Sequence, residues 1–201
     1  MRAIQKSEED VVAPDPDLVA VGPLSLTVDV GMAMFTGPGG LNNAFGPTLA
    51  IGRRASDHVV LSLALVGPGF ARDQSNAAGS VSVRREMAAF QVDVIGLFRR
   101  RLVLRGGMAA GVSHLAIEGH PVIGPGPLGT PTITGRSSGA FSGVLSWSAG
   151  LVANLRSTLG LYLEGRLCVL APTPLVNLNG SEVGRVANPQ VALTAGLEFR
   201  L

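Results

Sequence analysis

Residues 24–35, LSLTVDVGMAMF, alternate strictly. Leu24, Leu26, Val28, Val30, Met32 and Met34 fall on one parity, and Ser25, Thr27, Asp29, Gly31 and Ala33 on the other. Successive side chains of a β-strand point to opposite faces, so the stretch reads as a strand with one apolar face and one small, polar face. The same period returns along the chain. Residues 45–53 put Phe45, Pro47, Leu49 and Ile51 together, and residues 58–66 do so with Val59, Leu61, Leu63 and Leu65. Around residues 87–98, Phe90, Val92, Val94 and Phe98 oppose Gln91 and Asp93. Residues 101–114 set Leu102, Leu104, Met108, Ala110 and Val112 against Val103, Arg105, Gly107 and Ser113. Residues 145–155 set Leu145, Trp147, Ala149, Leu151 and Leu155 against Ser146, Ser148, Gly150 and Asn154. Residues 159–169 set Leu159, Leu161, Leu163, Leu167 and Val169 against Tyr162, Glu164, Arg166 and Cys168. Residues 191–201 set Val191, Leu193, Ala195, Leu197, Phe199 and Leu201 against Ala192, Thr194, Gly196, Glu198 and Arg200. Helical periodicity is almost absent.

The segments predict eight strands of about nine to twelve residues, the length a tilted strand needs to cross a bilayer and longer than the usual strand of a soluble sheet. No apolar run reaches the roughly 18 residues of a membrane-spanning helix. The connections alternate in length. RRASD, RRR and RST join strands 2–3, 4–5 and 6–7, whereas residues 36–44, 66–84, 115–140 and 170–189 form long links rich in Gly, Pro, Asn and Ser. Short turns at one end and long loops at the other are a feature of outer-membrane barrels, and an even strand number places both termini at the short-turn, periplasmic end. Residues 1–22, with APDPD and Gly22-Pro23, read as a flexible tail ahead of a barrel over residues 23–201. The acidic opening MRAIQKSEEDVVAPDPD has no apolar secretory core. An outer-membrane location therefore requires a signal already removed; otherwise the chain is not exported.

The decisive question is which face lies inside. Charged residues make up 15% of the 201-residue chain, against roughly 25% in soluble domains, and Lys6 is its only lysine. The non-apolar face is Gly, Ala, Ser and Thr with sparse charges, which suits the cramped interior of an eight-stranded barrel better than a water-facing sheet. The apolar faces carry no charge centrally, where a basic residue costs roughly 2–4 kcal/mol against lipid. The alternation puts Asp29, Asp93, Arg105, Glu164 and Arg166 away from that face together. Both signs are present, so they can pair, as buried charges must. These five predict a lumenal charge network, with Glu198 near the periplasmic end. Aromatics are only 4%, few for aromatic girdles; Phe98 and Phe199 fall near the short-turn end, and Phe45 and Trp147 near the long-loop end.

Residues 24–201 resemble the small eight-stranded outer-membrane barrels, the OmpA-like and OmpX-like group. The end of the chain, Thr194-Ala-Gly196-Leu-Glu-Phe199-Arg-Leu201, resembles the terminal signal read by barrel-assembly machinery: polar, any, Gly, two of any, apolar, any, apolar. Leu201 stands where the family often has an aromatic residue. The resemblance implies recognition by that machinery through Thr194, Gly196, Phe199 and Leu201, and contact with outer-membrane lipids and lipopolysaccharide.

Little in the sequence points to chemistry. His58 sits at a short turn, while Ser113, His114, Glu118 and His120 gather in VSHLAIEGH. Some barrels of this size modify lipid A with Ser, His and an acid, but Ser113 and His114 are neighbours that point to opposite faces of a strand. No ligand spacing supports a metal at His114 and His120. Cys168 is the only cysteine, has no disulfide or metal companion, and reads as an inward filler. GPGG at residues 37–40 lacks the Lys and helix of a phosphate loop. The arginines at 53, 54, 99, 100, 101 and 156 cluster at the short turns, where head groups and solvent both offer partners. A net charge of +2 without a basic aromatic stripe gives no case for nucleic acid.

The expectation is an all-β, eight-stranded antiparallel up-and-down transmembrane β-barrel, monomeric, with a polar lumen filled by side chains. It needs no cofactor or metal, is not an enzyme, forms no wide pore, and has a structural or surface-interaction role in a Gram-negative outer membrane. The alternatives are a soluble lipocalin-like barrel with an apolar ligand inside, a lipid A-modifying hydrolase, and a narrow channel.

Overall fold

The computed structural model describes residues 25–37, 44–69, 72–76, 79–99, 101–120, 137–178 and 181–201; the expected tail, residues 1–22, lies outside them. The strands are β1 (Leu26–Thr36), β2 (Ala44–Ser56), β3 (Val59–Val66), β4 (Arg72–Asn76), β5 (Gly79–Arg99), β6 (Leu102–His120), β7 (Ser137–Arg156), β8 (Leu159–Ala171), β9 (Leu175–Leu178), β10 (Ser181–Arg185) and β11 (Gln190–Arg200). Eight of them, β1, β2, β3, β5, β6, β7, β8 and β11, pair antiparallel with their neighbours around a ring. The β3–β5 ladder and the β1–β11 ladder complete it. The chain ends also meet, because Leu26 N–H donates to Leu201 O at 3.2 Å and Leu201 N–H to Leu26 O at 2.9 Å. A closed ring leaves no sheet edge, which permits a strand structure to cross hydrocarbon.

The apolar parity faces out on every barrel strand. Val30 is 47% exposed, Ile51 49%, Leu61 49%, Val94 58%, Leu104 45%, Leu151 43%, Leu163 50% and Leu193 46%. Asp29, Ser62, Gln91, Asp93, Ser113, Ser146, Glu164 and Glu198 are buried on the opposite parity. On β8 the outward row from Leu161 to Ala171 is exposed throughout. At about 3.3 Å per residue and a tilt near 40°, it spans about 25 Å, the height of an outer-membrane apolar band.

The expected strand lengths fall short for three elements. β5, β6 and β7 run 21, 19 and 20 residues, well past the apolar band. Much of the expected loop over residues 66–84 is therefore strand, with β4 continuing along β5 where β3 stops. The expected 170–189 loop contains the β9–β10 hairpin. The cause is a reversal of patterning above the band. Outward positions there are Arg84, Glu86, His114 and Glu118, and the inside has already turned apolar within the upper part of the band, where Met87, Leu115, Val144, Cys168 and Leu170 pack with Val186. With polar outside and apolar inside, the parity that marked the lower strand changes sign. His114 accordingly lies within β6 rather than at its end, and Trp147 sits mid-strand on β7 rather than near the long-loop end. Cys168 is fully buried in this upper cluster.

One close approach fixes the wall at β1, β8 and β11. Gly31 opposes Gly196 across the β1–β11 ladder, and Gly196 opposes Tyr162 on β8. A Cβ on Gly31 would lie 2.6 Å from Tyr162 Oη, and one on Gly196 would lie 2.8 Å from Tyr162 Cε1. The tyrosine ring thus occupies the space the two glycines leave. Gly196→Val is expected to lower the urea midpoint for folding in detergent micelles, at a cost on the order of 1–3 kcal/mol for overpacking. Gly165→Val, whose Cβ would meet nothing nearer than 3.8 Å, is expected to leave the midpoint unchanged.

Candidate functional site

The inward parity of five strands converges on one polar layer. Asp29 comes from β1, Gln91 and Asp93 from β5, Arg105 from β6, Glu164 and Arg166 from β8, and Glu198 and Arg200 from β11. Arg105 is the hub. Its Nη1 lies 2.8 Å from Asp29 Oδ2 and 3.5 Å from Glu198 Oε2, and its Nη2 lies 2.8 Å from Asp93 Oδ2. Its Nε donates to Asp93 Oδ2 at 3.0 Å. Gln91 Nε2 donates to both oxygens of Asp93, at 2.8 and 2.9 Å. Arg166 Nη2 donates to Gln91 Oε1 and, at 2.7 Å, to Glu164 Oε1. Toward the short turns, Arg200 donates to Glu198 Oε1 and Asn154 Oδ1, both at 2.6 Å. A single chain of contacts therefore runs from Glu164 to Asn154 and contains all six of the singled-out charges except Asp29 along its length, with Asp29 branching from Arg105. Gln91, Asn154 and Arg200 are links the sequence reading did not assign. Their inward parity was the available signal.

Beside this layer lies a void of about 40 Å³, lined by Asp29, Gln91, Arg105, Tyr162, Glu164 and Arg166 below and by Phe35, Val66 and Met87 above. At about 10–15 Å³ per water centre, it has room for roughly three water molecules. Asp29 Oδ1 and Arg166 Nη1 have no hydrogen-bond partner among the described residues. The layer can hold strands together and retain a few waters.

Arg85 stands apart, one layer up. Its Nε donates to Ser113 Oγ at 3.2 Å, its Nη1 bonds Gln190 Oε1, and its guanidinium carbon sits 4.8 Å from the centre of the Phe35 ring. Ser113 Oγ is 3.3 Å from Glu86 O. Ser113 thus faces the lumen, whereas His114 faces out, stacked on Phe141 with ring centres 4.5 Å apart and its Nδ1 3.6 Å from Glu86 Oε2. The two are on opposite sides of the wall. Glu118 is exposed, and the side chain of His120 lies outside the described residues. His58 and Asp57 form the β2–β3 turn.

The residues of the terminal motif have separate places in the folded wall. Thr194 lines the void, Gly196 faces Tyr162, Phe199 faces out at 39% exposure and Leu201 is exposed beside Leu26.

No protein-family model and no curated protein matches the chain. Solved structures do. The Neisserial surface protein A structure shares 12% identity, covers 90% of this chain and 98% of its own, and superposes with a TM-score of 0.59. A major outer-membrane protein from Thermus thermophilus shares 13% identity over 88% of this chain and 99% of its own, with a TM-score of 0.57. Ail, the attachment invasion locus protein of Yersinia pestis, shares 12% identity over 88% and 97%, with a TM-score of 0.50. The chain has the fold of these small outer-membrane barrels.

Arg105→Gln would leave Asp29, Asp93 and Glu198 without their shared cation. The expected loss is about 3–5 kcal/mol in a urea titration in micelles, as for breaking a buried ion pair from one side. Asp93→Asn combined with Arg105→Gln is expected to cost less than the sum of the two single changes; strict additivity would mean the contacts are energetically independent.

Proposed function

We propose that this chain is an integral barrel of a Gram-negative outer membrane with a structural or surface-interaction role. Short turns and termini are periplasmic, the long connections extracellular, and the barrel acts as a monomer without a wide pore. The outward apolar band carries the reading. A large belt of Leu, Val, Ile, Phe and Met side chains in contact with water would be an aggregation surface, whereas against lipid it is the stable arrangement. The four long connections are then the parts that meet the outside. Outer-membrane lipids and lipopolysaccharide are the proposed surroundings, and assembly machinery that reads the terminal strand is the proposed route of insertion.

The other readings fare worse on specific observations. A lipocalin-like barrel needs an apolar interior of several hundred Å³, but the mid-lumen is ionic and its void is about 40 Å³. A hydrolase using Ser113 and His114 needs them within hydrogen-bond reach, and the barrel wall separates them. A channel must pass both the charged layer and the apolar cluster above it.

Refolding from urea is expected to yield β-structure and a heat-dependent band shift on an unboiled gel in micelles, but not in plain buffer. Leu163→Arg, on the mid-band outward face, is expected to cost about 2–4 kcal/mol of folding stability in lipid vesicles. A soluble, monomeric β-protein in buffer, or a Leu163→Arg variant as stable as the parent in vesicles, would refute the membrane reading. Planar-bilayer conductance is expected to stay at baseline.

A further inference from the structure

The described short turns are edged with arginine. Arg53 is exposed on the outward face of β2, the next outward position after Ile51. It pairs laterally with Leu26 of β1 and Leu61 of β3, which are 40% and 49% exposed on the lipid side. Its guanidinium therefore leaves from the edge of the apolar band. Arg101 is exposed in the β5–β6 turn, and its carbonyl accepts the Asn154 amide at 2.8 Å, which sets it beside the foot of β7. Arg156 is exposed at that foot, next to the outward Leu155 at 56% exposure. In sequence the same three turns also carry Arg54, Arg99 and Arg100, and Asp57 is the only acid among them. The strand ends at the opposite side carry no such excess: Arg72, Arg84 and Arg185 are matched by Asp73, Glu86, Glu118 and Glu182.

We propose that Arg53, Arg101 and Arg156 form a cationic rim that binds the phosphate groups of anionic phospholipids in the leaflet at the short-turn end. The proposal rests on the membrane reading above and adds a lipid specificity to it. Arginine fits this place for three reasons. Its aliphatic stem can lie on the apolar belt while the head reaches the phosphate level. Its planar fork meets a phosphate with two parallel hydrogen bonds. It also keeps its charge at any relevant pH, so attachment does not depend on titration. Rim arginines take the anchoring place that the scarce aromatics leave largely unfilled at this end. The competing occupant is the chain's own acidic segment, Glu8, Glu9, Asp10, Asp15 and Asp17, which precedes β1 in sequence.

The test compares the full chain with Arg53→Gln/Arg101→Gln/Arg156→Gln in phosphatidylcholine vesicles and in vesicles containing about 30% phosphatidylglycerol, enough to give an anionic surface. Both are scored by urea midpoint and by the unboiled-gel shift. A basic residue near an anionic membrane surface contributes about a fivefold factor, so the three together are expected to favour the folded state roughly a hundredfold in the anionic vesicles. The parent should gain this and lose it in high salt, and the triple variant should not gain it. Inorganic phosphate added to phosphatidylcholine vesicles should leave the parent unchanged. Equal parent midpoints in the two lipids, or a variant that keeps the gain, would overturn the proposal. So would stabilisation by free phosphate, which would assign the rim to the ion rather than the lipid. An equal loss by the variant in both lipids would assign the rim to the acidic segment and overturn it too. Failure of the parent to fold in either vesicle would instead count against the membrane reading itself.

Discussion

Arg105 joins opposite walls. It sits on β6, and Asp29, one of its partners, sits on β1, four strands away in either direction around the ring. Its other partners lie on the adjacent β5 and on β11. One side chain can span the lumen because the interior of an eight-stranded barrel is only wide enough for side chains to fill. The wall also leaves it room: a Cβ at Gly107 would run into the Asp93 carboxylate. The small residues of the inward parity and the charges among them form one device. Glycine and alanine make space, and the ion pairs occupy it.

That device carries a cost which the layer above helps to contain. Four buried acids, Asp29, Asp93, Glu164 and Glu198, share the lumen with Arg105, Arg166 and Arg200, and Arg85 brings the cations to the same number. Charge balance inside a lipid-surrounded cylinder matters, because an uncompensated ion there is far costlier than one at a surface. Arg85 leans on Phe35, Ser113 and Gln190. It marks the boundary where the lumen turns apolar. Around it, Met87, Leu115, Val144 and Leu170 pack inside the wall without charge. Two fillings of opposite character therefore lie in series along one axis.

The lower barrel was legible because lipid imposes one rule on every strand. Outward residues must be apolar and inward ones small or paired, so parity alone assigned faces correctly from Val30 to Leu197. It placed Asp29, Asp93, Arg105, Glu164, Arg166 and Glu198 on one side. It did not say which carboxylate each arginine takes, because partners across a lumen are set by strand tilt and ring order, not by spacing. The upper barrel was illegible for the converse reason. Once the strands leave the band, water favours Arg84, Glu86 and Glu118 outside and apolar residues inside. A segment such as RDQSN in β4 then carries no periodic signal at all. Aromatics mislead in the same way: Phe90 and Phe141, the most exposed aromatic side chains among the described residues at 74% and 71%, belong to segments whose full extent the alternation does not disclose.

In the terminal strand, packing and the proposed assembly signal fall on the same residues. Gly196 fits a glycine slot in an assembly-signal pattern, and in the folded wall it is also the only residue type that leaves room for Tyr162 over Gly31. Phe199 faces lipid and Leu201 completes the β1–β11 seam through its backbone. Gly196 and Phe199 thus have packing reasons that would hold in a barrel refolded without any machinery. The two demands separate by timing. Packing acts on the equilibrium between folded and unfolded chain, whereas recognition on the proposed assembly route would act only on the rate at which the strand is delivered to the membrane. A substitution at Phe199 that keeps its apolar area on the lipid side leaves the first intact and can change only the second.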